Sequence, residues 1–529
     1  MRKRKQINRL VASMLCSLVA MSALSQSSVS PRPRLVVGIT IDQLRSDYLE
    51  LLQEHFSTGG FKRLMQHGAY FENVKMDIAR PDGINSIALI YTGAYPNVNG
   101  ITAATTFNEE SGRLLRTLND PKYIGNATDE TLSPMALRVS TLSDEVKMDG
   151  AGMGDVYAIA PNAQQAIILA GHAANGAFWI SDKTGKWASS TFYKDYPTTI
   201  STRNGINPFR HRLDTMSWRP SMPLDRYPDV PRHRTYYPFK YTFSGLYAIE
   251  QFKQSALVNE EVTSVAINCI NDMNLGHHAA IDMINIAYCA APYGFAIDSD
   301  ARIELQDTYL RLDKQLQRLF DAIDKAVGKE VCIFVTSTGY FDDVYATEPK
   351  YNIPTGEFSS KKAVSLLNMY LMAVYGTGNW VNGYFNERIY LNEKLAKEKN
   401  ISVEELRKES GNFLRRMAGV DAAYTFDEIL NNPGGETLKA LHRSITSSES
   451  ADVFLEILPG WKVVDDYNTG QSSTRTLANV SAPAFILAPG VSAQTISTPI
   501  DAALLAPTVA RLLRIRSPNA ARLLPMSLK

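Results

Sequence analysis

Cysteine is scarce, with four residues in a chain of 529. No two are spaced as CxxC, and a disulfide-dense scaffold is excluded. Cys269, Cys289 and Cys332 all sit in apolar, strand- or helix-like contexts and read as buried free thiols. There is no excess of charge of one sign: 55 Lys and Arg against 54 Asp and Glu gives +1, no general argument for a nucleic-acid partner. Internal repeats and low-complexity tracts are lacking. Beyond the first 25 residues no apolar run approaches a membrane span. With 45% hydrophobic and 21% charged residues, disordered and collagenous classes are excluded, and the length allows one large α/β domain with insertions or several domains.

The near-neutral total conceals an asymmetry at the start. Arg2, Lys3, Arg4, Lys5 and Arg9 precede an apolar stretch, Leu10 to Leu24, and Ala23-Leu24-Ser25 offers small residues for cleavage. Residues 1–25 are therefore expected to be a secretory signal peptide; the competing reading is an N-terminal anchor. Removing the five cations from 55 leaves 50 bases against 54 acids, a mature net charge of −4. Export to the periplasm or outer surface of a bacterium is expected, with no membrane span after cleavage. Residues 26–34 form a Ser/Pro linker.

Apolar, β-branched runs at 35–41, 281–288, 331–335 and 484–487 predict buried strands. Between them, 304–327 carries Leu305, Tyr309, Leu312, Leu316, Leu319, Phe320 and Ile323 at helical spacing, and 503–513 reads as a shorter helix. This alternation predicts an α/β fold with a mostly parallel central sheet sandwiched by helices. Two stretches break the rhythm. Residues 194–241, rich in Pro, Arg and aromatics, read as a cap. Residues 345–464, with helices near 392–399 and 402–417, read as an inserted subdomain within a domain spanning 35–529. Trp218, Tyr227, Tyr236, Tyr237 and Phe239 of the cap suit either a protein interface or packing on their own core.

In a parallel sheet, sites form beyond the carboxyl ends of strands. Asp42 ends the first strand. Taken alone it could cap the next helix, bind a cation or act as a base.

The segments LVVGITIDQLRSDYL (35–49), GGFKRLMQHGAYFENV (59–74) and IYTGAYPNVNGI (90–101) resemble the opening of the alkaline phosphatase superfamily. The similarity is to the branch of type I phosphodiesterases, nucleotide pyrophosphatases and secreted phosphate monoesterases. It continues through 170–193, 217–228, 304–324 and 506–515. The resemblance implies an alkaline phosphatase-like fold and a two-zinc site of three Asp and three His. In that site a Thr or Ser attacks phosphorus between the ions.

Carried over residue by residue, the resemblance implies Asp42 as the one remnant metal ligand. The nucleophile position falls on Gly83, which has no side chain. Ser86 is three residues on and about 300° round a helix. The next two ligand positions fall on Ala291 and Phe295, the following pair on Thr338 and Gly339, and the last near Ser472. The phosphate-binding Lys and Arg positions hold Asn162 and Gln164, and the Asn position falls near Ala104. Asn99 stands for a motif His. None of the eight His (55, 67, 172, 211, 233, 277, 278, 442) falls at a metal position. His172 is expected at a structural position, and His277-His278 in a solvated loop.

One carboxylate gives no preformed zinc site. The expectation is a pseudoenzyme without cofactor, binding or scaffolding an unidentified envelope protein or ligand. Its old cleft, with Ala291, Phe295, Gly339 and Tyr340, is expected to be apolar or packed shut. The alternative is a phosphoesterase with a shifted metal site built on Asp42 with Asp82, or on Asp342-Asp343. Carbohydrate or lipid-linked ligands are permitted by exposed aromatics without being selected.

Overall fold

The structure, a computed structural model, describes residues 31–108, 111–206, 208–298, 300–341, 356–431, 434–446, 451–467, 471–474 and 481–528. The expected signal segment 1–25 and Asp342-Asp343 lie outside the described residues.

Leu35–Asp42 is the central strand of a ten-stranded sheet. It pairs in parallel with Asp282–Cys289 on one side and Val331–Ser337 on the other. Val156–Ala160 and Gly176–Ile180 extend the parallel run beyond Asp282–Cys289. Ala484–Leu487, also predicted as a strand, runs antiparallel to Val331–Ser337 and to Ala69–Phe71. The sheet is thus mixed, and mostly parallel at its centre.

Alternate residues of the central strand point to opposite faces, and the strand feeds two cores. Leu35, Val37, Ile39 and Ile41 pack with the helices 248–254, 257–272 and 302–327. Val36 packs on the other face with helices 85–92, 163–170 and 505–513. Burial on both sides is why the strand reads as a continuous apolar run.

The 194–241 region adds directly to the first core. Trp218, Tyr227 and Phe239 are buried, and only Tyr236 and Tyr237 are largely exposed. The interface alternative is thereby corrected for the three buried rings. Packing wins because the long helix Arg302–Val327 presents buried carboxylates to them. Asp307 accepts hydrogen bonds from Trp218 Nε1 (2.6 Å), Tyr227 OH (2.8 Å) and the Ser221 amide (2.7 Å). Glu304 accepts a bidentate pair from Arg234 (2.7 Å each) and a bond from Tyr241 OH (2.7 Å).

Residues 357–474 carry two further sheets. One holds Glu357–Ser359, Lys462–Asp465 and Gln471–Thr474; the other holds Val381–Phe385, Arg388–Leu391, Val453–Ile457 and Val420–Thr425. A separate core of Trp380, Leu367, Leu371, Leu406 and Leu455 joins them. The two charged helices run Glu393–Glu398 and Val403–Leu414. Asn392 and Ser402 cap them by accepting from the Leu395 and Glu405 amides. This lobe meets the main domain through ion pairs Arg80–Glu387 and Arg443–Asp77.

His172 is structural, and His278 is not a free loop residue. Its Nδ1 lies 2.8 Å from Asp282 Oδ2. His172 has Nδ1 3.1 Å from Asp144 Oδ2 and Nε2 3.0 Å from the Leu137 carbonyl. Both partners only accept, so both ring nitrogens donate and the ring is an imidazolium. Burial opposes that charge, but the Asp144 bond and charge outweigh it and hold His172 above its ordinary 6.5. Burial likewise works against the Asp144 carboxylate, and the His172 bond and charge together with the Thr141 and Ala173 amides outweigh it to hold Asp144 below its ordinary 3.8.

Two tests follow from these contacts. Arg234→Met leaves Glu304 buried without its cation and should lower unfolding free energy by about 3–5 kcal/mol in urea melts. The neighbouring exposed Arg232→Met should change it by less than about 0.5 kcal/mol. The His172–Asp144 pair should stabilise most between about pH 4 and 6.5. The imidazolium contribution is complete below the unfolded His value and fades as pH rises through the raised folded value. The Asp144 contribution fades as pH falls through its lowered folded value. The urea midpoints of wild type and His172→Gln should converge between pH 6 and 9; a constant gap would show the pair is not titrating.

Candidate functional site

Three parallel strands end together. Asp42 lies opposite Cys289, and Ile41 opposite Ser337. This register brings the turns after Cys289 and Ser337 alongside Asp42. Pro161 and Asn162 follow from the next strand, Val156–Ala160. Between them and the 246–254 segment opens a cavity of about 840 Å³.

The Asp42 carboxylate is held by hydroxyls. Thr338 Oγ1 donates to Oδ1 at 2.8 Å, and Tyr340 OH to Oδ2 at 3.2 Å. Thr338 Oγ1 also accepts from the Gln43 amide at 2.9 Å. Gln43 reaches this position with φ +59°, a left-handed conformation uncommon outside glycine.

Gly83 lies beside the same carboxylate. A Cβ built there would stand 3.3 Å from Asp42 Oδ1, 3.3 Å from Tyr340 OH and 3.4 Å from Gln165 Nε2. The space a nucleophile's side chain would need is thus bordered by the Tyr340 hydroxyl. Ser86 is fully buried in its helix and donates to Asn85 Oδ1 at 3.4 Å, so it does not substitute for Gly83.

Asp82 closes the turn rather than facing the cavity. Its oxygens accept from the amides of Ile84 (2.7 Å), Asn85 (2.8 Å) and Ala104 (2.7 Å). Burial nonetheless lifts its pKa above the ordinary 3.8, outweighing those bonds. Arg80, three residues before Gly83, is turned away to Glu387 and the Leu455 carbonyl.

The remaining predicted positions divide. Asn162 and Ala291 line the cavity. Phe295 does not; its ring packs toward Tyr293 and the first core. Gly339, at φ +72°, lies against Met76. Gln164 points away and bridges the Ala104 carbonyl (2.9 Å) and the Leu118 amide (3.1 Å). Asn99 binds the Ala94 carbonyl and the Ile101 amide, a turn-holding role. Ser472 sits in the Gln471–Thr474 strand of the second lobe, opposite Val464. Among the described residues, no group of three or more His, Cys, Asp or Glu side chains converges to hold a metal ion.

The cleft is not apolar, and it is not closed. Gln43, Gln165, Asp182, Glu250, Lys253 and Gln254 also line it. The expectation of an apolar or filled cleft is corrected, because the small and aromatic replacements form only part of its wall. Lys253 is buried and its ammonium is engaged by Asp182 and the Ile180 carbonyl. Of these residues, Gln165 has a sequence signal: it stands one helical turn after Asn162, on the same face. Asp182 follows the carboxyl end of the parallel strand Gly176–Ile180, whereas Glu250 and Lys253 reach the site through the chain's return and carry none.

The family model for type I phosphodiesterase / nucleotide pyrophosphatase matches residues 36–481. The chain is 27% identical over 526 residues to alkaline phosphatase PhoV of Synechococcus elongatus, covering 93% of each. It is 24% identical over 516 residues to alkaline phosphatase PafA of Elizabethkingia meningoseptica, covering 94% of each. It is also 26% identical over 550 residues to a protein of Myroides odoratus named calcium-transporting ATPase, covering 96% of each. The crystal structure of wild-type PafA superposes with a TM-score of 0.80 at 23% identity, covering 94% of this chain and 99% of that one. The alkaline phosphatase-like α/β fold is shared with that structure. With the family model spanning most of its length, the chain belongs to the type I phosphodiesterase / nucleotide pyrophosphatase family of the alkaline phosphatase superfamily.

Proposed function

We propose that this chain is an exported binding or scaffold protein of the cell envelope, built on a phosphatase fold that no longer carries phosphoryl-transfer chemistry. One observation carries the reading. At the end of the central strand, Asp42 is engaged by the hydroxyls of Thr338 and Tyr340, with Gly83 at the position where a nucleophile would stand.

A zinc pair needs donors converging at ~2.0–2.2 Å on each ion. At the positions that would supply them, the described side chains offer Asp42 with a hydroxyl, a methyl and a phenyl group. They do not fit a zinc pair, and no catalytic step is derived through one. The phosphate-binding positions hold amides, Asn162 and Gln164, which carry no charge to offset a phosphate dianion. The basic, apolar start of the chain supports export. No helix among the described residues is long and apolar enough to cross a membrane.

A second reading, a phosphoesterase with a rebuilt metal site, draws on relatives named alkaline phosphatases that align over nearly the whole chain. Metal analysis and turnover separate the two. The purified protein should hold no stoichiometric zinc and should not hydrolyse p-nitrophenyl phosphate or bis-p-nitrophenyl phosphate above the blank. Stoichiometric zinc with turnover that vanishes in Asp42→Ala would establish the second reading instead.

The geometry at Gly83 is testable through stability. Gly83→Thr should cost about 1–3 kcal/mol by crowding Asp42 and Tyr340. In combination with Tyr340→Ala the cost should fall, giving a coupling of at least about 0.5 kcal/mol in a double-mutant cycle. Strict additivity would mean that Tyr340 does not hold the nucleophile's space.

A further inference from the structure

The cavity beside Asp42 has a definite donor and acceptor balance, and that balance selects a ligand. Four carboxylates line it: Asp42, Asp182, Glu250 and Asp298. The cation that lines it, Lys253, is already bound to Asp182. A phosphate ester would enter a site of its own charge sign.

The second observation is Gln165. Its side chain lines the cavity, yet the residue is only 5% exposed. Its Oε1 accepts from Asn162 Nδ2 at 3.3 Å. Its Nε2 lies at the Gly83 turn, and among the described residues no acceptor meets it. An amide donor facing the cavity takes its acceptor from whatever occupies the cavity.

These two observations eliminate two ligand classes. An ammonium ion suits the carboxylates but has no acceptor for Gln165 Nε2. A phosphate supplies the acceptor but is repelled by the carboxylates. A hydroxyl group does both: it donates to a carboxylate and accepts from an amide. Gln43, Asn162 and Gln254 widen the mixed donor–acceptor wall, while Leu246, Ala291 and Pro292 supply apolar contacts. The volume falls within the ~300–1,000 Å³ of small-molecule sites.

We propose that this cavity binds a neutral polyhydroxylated ligand, a saccharide, with Gln165 and Asp42 reading adjacent hydroxyls. The proposal rests on the reading of the chain as a binding protein and names its ligand class. A free oligosaccharide and a glycan displayed on a larger molecule present the same hydroxyls.

The test uses the full exported chain. It is screened on a printed array of neutral oligosaccharides, and hits are titrated as free sugars by calorimetry. Inorganic phosphate and spermidine are titrated in parallel. The expected result is saturable binding of a neutral saccharide, weakened at least tenfold in Gln165→Leu and in Gln254→Leu, with neither phosphate nor spermidine bound. Gln254 is half-buried, so its variant reports even where Gln165→Leu lowers the melting temperature. Binding to the array that free sugar competes away assigns the same chemistry to a displayed glycan. No saccharide binding, or binding unchanged in both variants, overturns the proposal. Uptake of phosphate or spermidine without phosphoester turnover overturns the saccharide alone. Zinc-dependent turnover overturns the binding-protein reading beneath it.

Discussion

A carboxylate at the end of a buried strand must be met by donors or by a cation, and this demand organises the centre of the molecule. Asp42 follows seven fully packed residues of the central strand. It lines the cavity, and its oxygens need partners there. Here Thr338 and Tyr340 provide hydroxyls. They can do so only because Val331–Ser337 runs parallel to the central strand with Ser337 beside Ile41. A slip of one residue would turn Thr338 to the other face and take its hydroxyl from Asp42. Sheet register and site chemistry are therefore one constraint. The Gln43 amide, held by the same Thr338 oxygen, extends it into the strained turn that follows.

Hydroxyls at a carboxylate do not act as a cation would. A dication neutralises nearby carboxylates and draws anions; a hydroxyl does neither. With Asp182, Glu250 and Asp298 on the same wall, the field in the cavity turns against phosphate. The one basic residue close in sequence, Arg80, strengthens the seam between lobes instead, through Glu387. The nucleophile turn is held from both sides, by Asp82 through backbone amides and by Arg80 through the second lobe. These contacts position Gly83 beside Asp42.

Much of the fold was legible because burial on both faces forces apolar runs, and the strands at 35–42, 282–289 and 331–337 announce themselves. Direction was not legible: Ala484–Leu487 looks like its neighbours but runs antiparallel, since strand sense depends on how the chain returns from residues 357–474. The cap aromatics were ambiguous because an interface and a core use the same rings. What decides them is Asp307 and Glu304, polar residues in an otherwise apolar helical stripe whose partners lie some 60–90 positions earlier. At the site, Asp42 could be placed from the strand that it ends, and Gly83, Asn162, Ala291 and Thr338 from the family resemblance. Gln165 was one helical turn further. Glu250 and Lys253 belong to the far wall, which forms only when the 246–254 segment folds back across the strand ends.

The persistence of the cavity is itself informative. A site without a task can be filled by larger side chains, and filling adds dispersion contacts that stabilise the fold. This one spans about 840 Å³ and turns the Gln165 amide toward it. Lys253 and Asp182 meanwhile are paired across the wall, so the cavity is not a region of neglected polar groups. A ligand that accepts from that amide gains a bond that a ligand without an acceptor forfeits, and that difference is how such a wall discriminates.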